Sequence, residues 1–296
     1  MKFVVTGGAG NVSKPLTELL LRRGHEVVVV GRSEENLKSL VAQGAKAAIG
    51  DLADVAFLTK TFNGADGVYL LIPPSWNADN IKRVSQELAK GFVDAIRATG
   101  VRDVVFLSSY GAHRLDDAGA ISGMGLAEVE LNRLEGVNVL HLRAGYFYTN
   151  LLLSVGLIKS NGIMGNMFTI PEGDFTVVDP YEIAVAAADA LSERNFVGHS
   201  FRYIVSDETG TDEIAALIGK EIGKPDLKWV KFPPQDLRSA LLGYGFAEGA
   251  ADEYVEMFDA LDRGVLFEDY VRHKPRLGRV AIEDFAKRFA QVYFSR

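Results

Sequence analysis

A glycine-rich turn near the N-terminus is the first group of residues whose spacing could serve chemistry. Gly7 and Gly10 occupy the first two positions of a dinucleotide-binding turn, and Ser13 stands where the third glycine usually lies. The turn follows a short β-branched strand and precedes a helical pattern, the context in which such turns bind a pyrophosphate. Glycines let the backbone approach the phosphates, and the helix N-terminus favours their charge. We therefore predict that Gly7, Gly10, Asn11 and Val12 bind a dinucleotide, the alternative being an ordinary tight turn.

The end of the second predicted strand bears on the choice between NAD(H) and NADP(H). Arg32 and Ser33 stand where an NAD-specific site has Asp or Glu to accept from the ribose hydroxyls. A planar guanidinium suits a 2′-phosphate, and a serine hydroxyl can donate to it. We predict NADP(H) in preference to NAD(H). The alternative is an exposed arginine beside Glu34 and Glu35.

Two further strand ends are expected to contact the cofactor, because open α/β sheets bind ligands at the carboxyl ends of their strands. Asp51 and Leu52 follow the third predicted strand, and Ile72 and Pro73 follow the fourth. Asp51 is predicted to accept from the adenine amine. The alternative for Asp51 is the N-cap of the next helix.

Two tyrosine motifs are candidates for proton transfer. Orthodox short-chain dehydrogenases use Tyr-x-x-x-Lys, in which the lysine lowers the pKa of the tyrosine. The literal match, Tyr270 with Lys274, lies in the C-terminal tail, and we interpret it as coincidence. Tyr110 and His113 follow the fifth predicted strand, with Arg114 in the lysine position, and we predict that both face the nicotinamide. Tyr110 would donate to a substrate oxygen, or else serve as an aromatic wall.

The elements that must position these residues alternate between strands and helices. Short apolar strands separated by helical patterns of 10–20 residues predict βαβ units in a parallel sheet. The predicted fold is α/β, a Rossmann-type doubly wound parallel sheet with a smaller, helix-rich C-terminal lobe. We predict an NAD(P)-binding Rossmann domain over 1–150, joined by about 177–206, and a smaller substrate or cap lobe over 151–176 and 207–296. Within that lobe we expect one helix over 148–160 and Thr211 as a helix cap.

Composition excludes several classes of protein. The 296 residues carry a net charge of −7 and no cysteine, which disfavours nucleic-acid binding and rules out thiol chemistry. The five histidines lack metal-ligand spacing, so we predict no metal site. The absence of a signal-peptide pattern or a membrane-length apolar run predicts a cytoplasmic protein without membrane or direct nucleic-acid partners.

Several segments, taken in order, resemble the NmrA-like family of the atypical short-chain dehydrogenase/reductase superfamily. The similarity extends over about residues 1–225. The segments that carry it are the glycine turn, Gly50-Asp51-Leu52, residues 98–109, residues 142–150, residues 178–184, residues 198–204 and residues 211–215. The resemblance implies a Rossmann domain that binds NADP(H), with a cleft between it and a smaller lobe. Family members include quinone reductases, reductases of plant phenolic metabolism and non-catalytic co-regulators that sense nicotinamide redox state.

The resemblance also implies further site residues. Ser108 and Tyr146 would contact the cofactor, and the substrate would meet Tyr110, Met124, Phe147 and Asn150. Met124 lies in the stretch where many family reductases carry a lysine, and no Lys or Arg occurs between Arg114 and Arg133.

The missing lysine leaves two functions open. The first is an NADPH-dependent reductase of a quinone or another small apolar carbonyl acceptor. A quinone is intrinsically reactive and solvent can supply the proton, so its reduction needs few catalytic groups from the protein. The second is a non-enzymatic NADP(H) sensor that acts through a protein partner.

Overall fold

A seven-stranded parallel sheet forms the centre of the computed structural model, which describes residues 1–295. Its strands are β1 (Lys2–Val5), β2 (Glu26–Gly31), β3 (Lys46–Ile49), β4 (Gly67–Leu70), β5 (Asp103–Ser109), β6 (Asn138–Ala144) and β10 (His199–Ile204). The spatial order is β10-β6-β5-β4-β1-β2-β3, and every neighbouring pair is parallel. The strand order reverses between β1 and β4, so the chain segments that follow these two strands meet at a topological switch point.

Helices cover both faces of this sheet. They are α1 (Ser13–Arg22), α2 (Glu34–Val41), α3 (Val55–Phe62), α4 (Ile81–Thr99), α5 (Ala120–Leu131) and α7 (Pro180–Glu193), with the short α6 (Val155–Asn161) before α7 in the chain. Phe3 and Val5 of β1 pack against α1 and α7, whereas Val4 packs on the opposite face against α3, α4 and α5. Alternate side chains of one strand thus belong to two cores, and the predicted doubly wound Rossmann-type fold is confirmed.

The remaining elements form a smaller region rich in helices. Its strands are β7 (Tyr146–Phe147), β8 (Met164–Asn166), β9 (Phe175–Val178), β11 (Asp207–Thr209) and β12 (Trp229–Lys231), arranged as β11-β9-β7 and β12-β8. Its helices are α8 (Thr211–Glu221), α9 (Pro234–Gly243), α10 (Glu248–Asp262), α11 (Glu268–Arg272) and α12 (Ile282–Ser295). Strand β10, from the 177–206 segment, joins the main sheet, whereas β7, which precedes residue 150, joins the smaller one. The division at residue 150 stays a prediction.

Two local expectations are wrong. Residues 148–160 do not form one helix, because a 3-10 helix over Tyr148–Ser154 precedes α6. Tyr148 and Leu151 are both buried, and a 3-10 helix aligns side chains three positions apart. Thr211 is the first residue of α8 rather than its cap, since Gly210 holds the cap position. The Thr211 hydroxyl instead accepts from the backbone N–H of Ile170 at 3.3 Å.

Within residues 1–295, no helix combines the length and the apolar content that crossing a bilayer requires.

Candidate functional site

The glycine turn after β1 is folded so tightly that side chains at Gly7 and Gly10 would crowd their neighbours. Gly7 has a φ of +95°, and a Cβ there would overlap the side chain of Leu71. A Cβ on Gly10 would lie 3.1 Å from the carbonyl oxygen of Gly7. The backbone N–H of Gly8 donates to the carbonyl oxygen of Val30 at 2.7 Å, which ties the turn to β2. At Gly7 and Gly10 the turn therefore presents backbone rather than side chains at the switch point.

Serine in the third glycine position has a structural role. Ser13 is fully buried, and its Oγ donates to the carbonyl oxygen of Thr6 at 2.7 Å, so it joins the first turn of α1 to the end of β1. Over residues 1–295, no side chain caps the N-terminus of α1. An uncapped helix N-terminus presents backbone N–H groups and a partial positive charge. This geometry fits a pyrophosphate at Gly7, Gly10, Asn11 and Val12.

Thr6 fastens the segment after β4 beside this turn, a role that the sequence did not reveal. Its Oγ1 donates to the carbonyl oxygen of Tyr69 at 3.1 Å and accepts from the backbone N–H of Leu71 at 3.0 Å. Ile72 and Pro73, which follow directly, are half-buried. The structure thus brings Ile72 and Pro73 to the same edge of the sheet as the glycine turn.

Arg32 and Ser33 follow β2 at this edge. The Arg32 side chain is exposed, and within residues 1–295 it forms no ion pair with a carboxylate. Glu35, three positions later, pairs with Lys38 instead. Ser33 holds the N-cap position of α2, yet in the described chain its hydroxyl makes no capping hydrogen bond. Both side chains are therefore placed to bind an anion in front of α2, and their predicted role toward the 2′-phosphate stays a prediction.

Asp51 and Leu52 lie just beyond the end of β3. Asp51 is exposed, and its Oδ1 accepts from the backbone N–H of Ala53 at 2.9 Å. The alternative that Asp51 caps α3 is wrong, because Asp54 does so by accepting from the backbone N–H of Phe57. Within residues 1–295, Oδ2 of Asp51 caps no helix. The predicted recognition of the adenine amine by Asp51 stays a prediction. Leu52 is half-buried and packs on the core beneath the sheet.

Tyr110 and Tyr146 follow the carboxyl ends of β5 and β6. Tyr110 is buried and stacks on Phe267 with ring centroids 5.6 Å apart, and Tyr146 packs against Phe175 at 5.0 Å. Burial raises the pKa of both phenols, and the charge of an ionised Tyr146 would raise the pKa of Tyr110 further, so the two groups are neighbours. Both phenols are therefore protonated at neutral pH and can donate a hydrogen bond.

His113 is directed toward α11. Its two ring nitrogens are buried and have no hydrogen-bond partner within residues 1–295, and Nε2 lies 4.0 Å from Oε2 of Glu268. Burial lowers the pKa of His113, while the charge of nearby Asp269 raises it and that of Arg143 lowers it. His113 is therefore a neutral imidazole, and its predicted catalytic role stays a prediction.

A buried ionic network behind Tyr110 was missed by the sequence analysis. Arg143 donates to Glu128 from Nε at 3.0 Å and from Nη2 at 2.6 Å, and to Asp269 from Nη1 at 2.9 Å. Ser108 donates to Oε1 of Glu128 at 2.5 Å, and Tyr203 donates to Asp269 at 2.7 Å. A charged residue in the apolar strand β6 was the available signal, because a buried charge requires a partner. The predicted contact of Ser108 with the cofactor stays a prediction.

The predicted substrate residues are distributed around this edge. Met124 is half-buried and packs on the core under α4 and α5, and Phe147 packs on the core of the opposite face. Asn150 is exposed at the end of the same segment. Asn11 of the glycine turn donates to Oγ1 of Thr149 at 3.5 Å, which brings the turn and this segment together. Their contacts with a substrate stay predictions.

The literal Tyr-x-x-x-Lys match has a different use. Tyr270 and Lys274 both donate to Oε1 of Glu208, at 2.8 and 2.7 Å. Burial and the bond to Glu208 raise the pKa of Tyr270, the opposite of what orthodox catalysis requires. The pair therefore ties α11 and the segment after it to β11. Within residues 1–295, no three His, Asp or Glu side chains are grouped as a metal site would require.

The parallel sheet, its switch point and the uncapped helix behind a glycine turn define an NAD(P)-binding protein of the Rossmann type. A family model described as NAD(P)H-binding matches residues 7–128. Among curated proteins, the NAD(P)H azoreductase of Xenophilus azovorans is 24% identical over 86% of each chain, and quinone oxidoreductase 2 of Escherichia coli is 23% identical over 90% of each.

Solved structures agree on the fold. The NADPH complex of the E. coli quinone oxidoreductase superposes with a TM-score of 0.80 at 21% identity, covering 97% of this chain and 99% of that one. The triphenylmethane reductase of Citrobacter sp. also gives 0.80, at 18% identity and with 98% and 100% covered. The chain is thus similar to NAD(P)-binding reductases over most of its length and shares their fold.

Proposed function

We propose that the chain is an NADPH-dependent reductase whose acceptor is a quinone or a small carbonyl compound. The observation that carries this proposal is the pair of protonated phenols, Tyr110 and Tyr146, beyond the carboxyl ends of β5 and β6. Similarity to an NAD(P)H azoreductase and to a quinone oxidoreductase over most of the chain supports it.

The residues at the switch point would hold the cofactor. The backbone of the glycine turn and the uncapped start of α1 would bind the pyrophosphate, and Arg32 with Ser33 would bind the 2′-phosphate. The remaining contacts that we propose are Asp51, Leu52, Ile72, Pro73, Ser108 and Tyr146. When bound, NADPH supplies a hydride to the acceptor.

The two tyrosines would act on the oxygen of the acceptor. That oxygen gains negative charge as the carbonyl is reduced, and a hydrogen bond from an unionised phenol stabilises the charge. Buried phenols are suited to this role because their raised pKa keeps the donating proton on the tyrosine. A quinone then becomes a hydroquinone by gaining the hydride and one proton from solvent, so that no lysine on α5 is required.

Oxidation of NADPH across a panel of quinones and aldehydes tests the proposal. Wild-type chain should accelerate the reaction with at least one acceptor class, and a flat response with NADPH demonstrably bound would refute the reductase. Tyr110→Phe should lower kcat by about 100-fold, the usual effect of removing one such donor, while leaving the Kd for NADPH unchanged. Tyr244→Phe is the matched control, because Tyr244 is 84% exposed.

A second candidate, a sensor of the NADP(H) redox state, is favoured by the charges around α5. The chain has no Lys or Arg between Arg114 and Arg133, and Arg143 is already bound to Glu128 and Asp269. No cation is therefore free to assist proton transfer on this helix of the described chain. Partner capture with NADP⁺ and with NADPH separates the candidates, since equal occupancy in both states contradicts the sensor.

A further inference from the structure

An aromatic patch lies on the surface where the loop after β4 meets the turn between α9 and α10. It consists of Trp76, Tyr244 and Phe246, of which Trp76 and Tyr244 are 54% and 84% exposed. The rings of Trp76 and Phe246 stack with their centroids 5.8 Å apart. The proposed cofactor and acceptor sites use none of these side chains. Clustered, exposed aromatic residues are typical of interaction surfaces, because Trp and Tyr supply many of the residues that dominate binding energy.

Backbone contacts hold the patch in place. The N–H of Ala247 donates to the carbonyl oxygen of Trp76 at 2.9 Å, and Gly249 packs directly against the backbone of Asp79. The ring of Phe246 also meets that of Tyr254 edge to face, with centroids 5.3 Å apart. The patch is therefore preorganised, and a partner that binds it has little conformational entropy to remove.

The charge around the patch is negative. Asp79, Glu248 and Asp252 are exposed carboxylates on the segments that form or flank the patch. Arg238 is bound to Asp252 at 2.6 Å, and its guanidinium also lies 3.8 Å from Glu248. Three carboxylates and one guanidinium leave a net charge of −2. The patch thus combines apolar rings with a surplus of negative charge.

The cations on the adjacent first turn of α4 do not cancel this charge. Lys82 pairs with Glu256 at 3.1 Å, and Arg83 pairs with Glu87 at 3.7 Å. A second copy of the chain would bring the same negative rim against this one, and anionic lipid headgroups would be repelled in the same way. The sign of the charge therefore favours a positively charged partner.

We infer that the aromatic patch docks a basic amphipathic segment of another protein. Apolar anchors of that segment cover Trp76, Tyr244 and Phe246, and flanking Lys or Arg side chains face Asp79 and Glu248. The aromatic contacts supply the affinity, and the complementary charges set the choice of partner and the rate of encounter. The inference does not rest on the proposed reductase, because docking requires no reduction.

Fluorescence anisotropy with two labelled peptides tests the docking. One peptide has about 18 residues, with Leu and Lys at helical spacing, and the other has Glu in place of every Lys. The full chain should bind the Lys peptide about tenfold more tightly than the Glu peptide in low salt. Trp76→Ala should weaken binding of the Lys peptide about tenfold, the cost expected for one aromatic anchor, and Trp76→Phe should restore most of this loss.

Further variants separate the two parts of the inference. Tyr244→Ala changes a side chain that the fold does not bury, and it should weaken binding of the Lys peptide about threefold. Asp79→Asn with Glu248→Gln should weaken it about fivefold in low salt and much less in high salt. Val197→Ala is the control, because Val197 is apolar, 85% exposed and precedes β10, at the opposite edge of the sheet.

Several results would overturn the inference. They include equal affinities for the two peptides and unchanged affinity in both Trp76→Ala and Tyr244→Ala. A dimer that sedimentation detects in the wild type and not in Trp76→Ala would assign the patch to a second copy instead. Binding to phosphatidylserine vesicles that is lost in Trp76→Ala would assign it to a membrane surface.

Discussion

Replacing Glu128 with alanine should destabilise the chain far more than the loss of one surface ion pair. The side chains of Glu128 and Arg143 are 7% and 9% exposed, so solvent cannot take over the lost interaction. The substitution removes two of the three carboxylate bonds of Arg143 and the acceptor of the Ser108 hydroxyl. Breaking a buried pair from one side lowers the free energy of unfolding by about 3–5 kcal/mol.

Urea unfolding followed by far-UV circular dichroism measures this change. The control is Glu87→Ala, which removes an exposed pair with Arg83 on α4 at 3.7 Å and should lower the free energy of unfolding by about 0.3–0.5 kcal/mol. A loss below about 1 kcal/mol for Glu128→Ala would contradict the reasoning, because an uncompensated buried guanidinium is the source of the predicted penalty.

A double variant identifies that source. Glu128→Met with Arg143→Met removes both charges and refills the space with apolar side chains. Its free energy of unfolding should recover most of the loss, because apolar replacements of buried ion pairs are often neutral or stabilising. Asp269 then keeps its bond from Tyr203. A double variant as unstable as Glu128→Ala would show that packing, not the unpaired charge, sets the loss.

Three further predictions concern pH and the cofactor. His141 is buried, and burial lowers its pKa from 6.5 to about 4. Because the unfolded chain then binds the proton more readily, the free energy of unfolding should be highest above pH 6.5 and should fall by about 3 kcal/mol on acidification to pH 4. The free energy of unfolding of His141→Phe, measured with urea, should not show this part of the fall at acid pH. An equal fall in the variant and the wild type would contradict the prediction. Arg32→Glu should raise the Kd for NADPH far more than that for NADH, and equal losses by titration would exclude a 2′-phosphate contact. Gly10→Ala would place a Cβ 3.1 Å from the carbonyl oxygen of Gly7 and so shift the turn, which should raise the Kd for NADPH about 10- to 150-fold, the cost of one charge-assisted bond to the pyrophosphate. Gly156→Ala, in open space on α6, should not alter this Kd.

The first half of the fold could be predicted from local patterns. Strand β1, the glycine turn and α1 are consecutive in the chain, so their spacing alone implies the geometry that the structure has. The start of α7 carries a similar local signal, because Asp179 before Pro180 is typical of a helix start, and Asp179 accepts from the backbone N–H of Tyr181.

The charged network could not be predicted, because its partners are distant in sequence. Arg143 and Asp269 are 126 positions apart, and no periodicity relates a residue of β6 to one of α11. The residue that caps α3 could not be predicted either, although its two candidates lie close together in the sequence. Two aspartates three positions apart both suit a helix start, and only the backbone decided that Asp54 caps α3.

The residues proposed to lie near the electron acceptor are positioned by the C-terminal part of the chain as well as by the sheet. Phe267 stacks on Tyr110, Glu268 approaches His113, and Asp269 binds Arg143 beneath them. The glycine turn and Arg32, by contrast, are held by β1, β2 and their helices. The proposed pyrophosphate site and the proposed acceptor site are thus supported by separate parts of the molecule. A substitution such as Phe267→Ala would therefore disturb the acceptor side without changing the pyrophosphate site, so relatives with one cofactor could differ in acceptor through this segment.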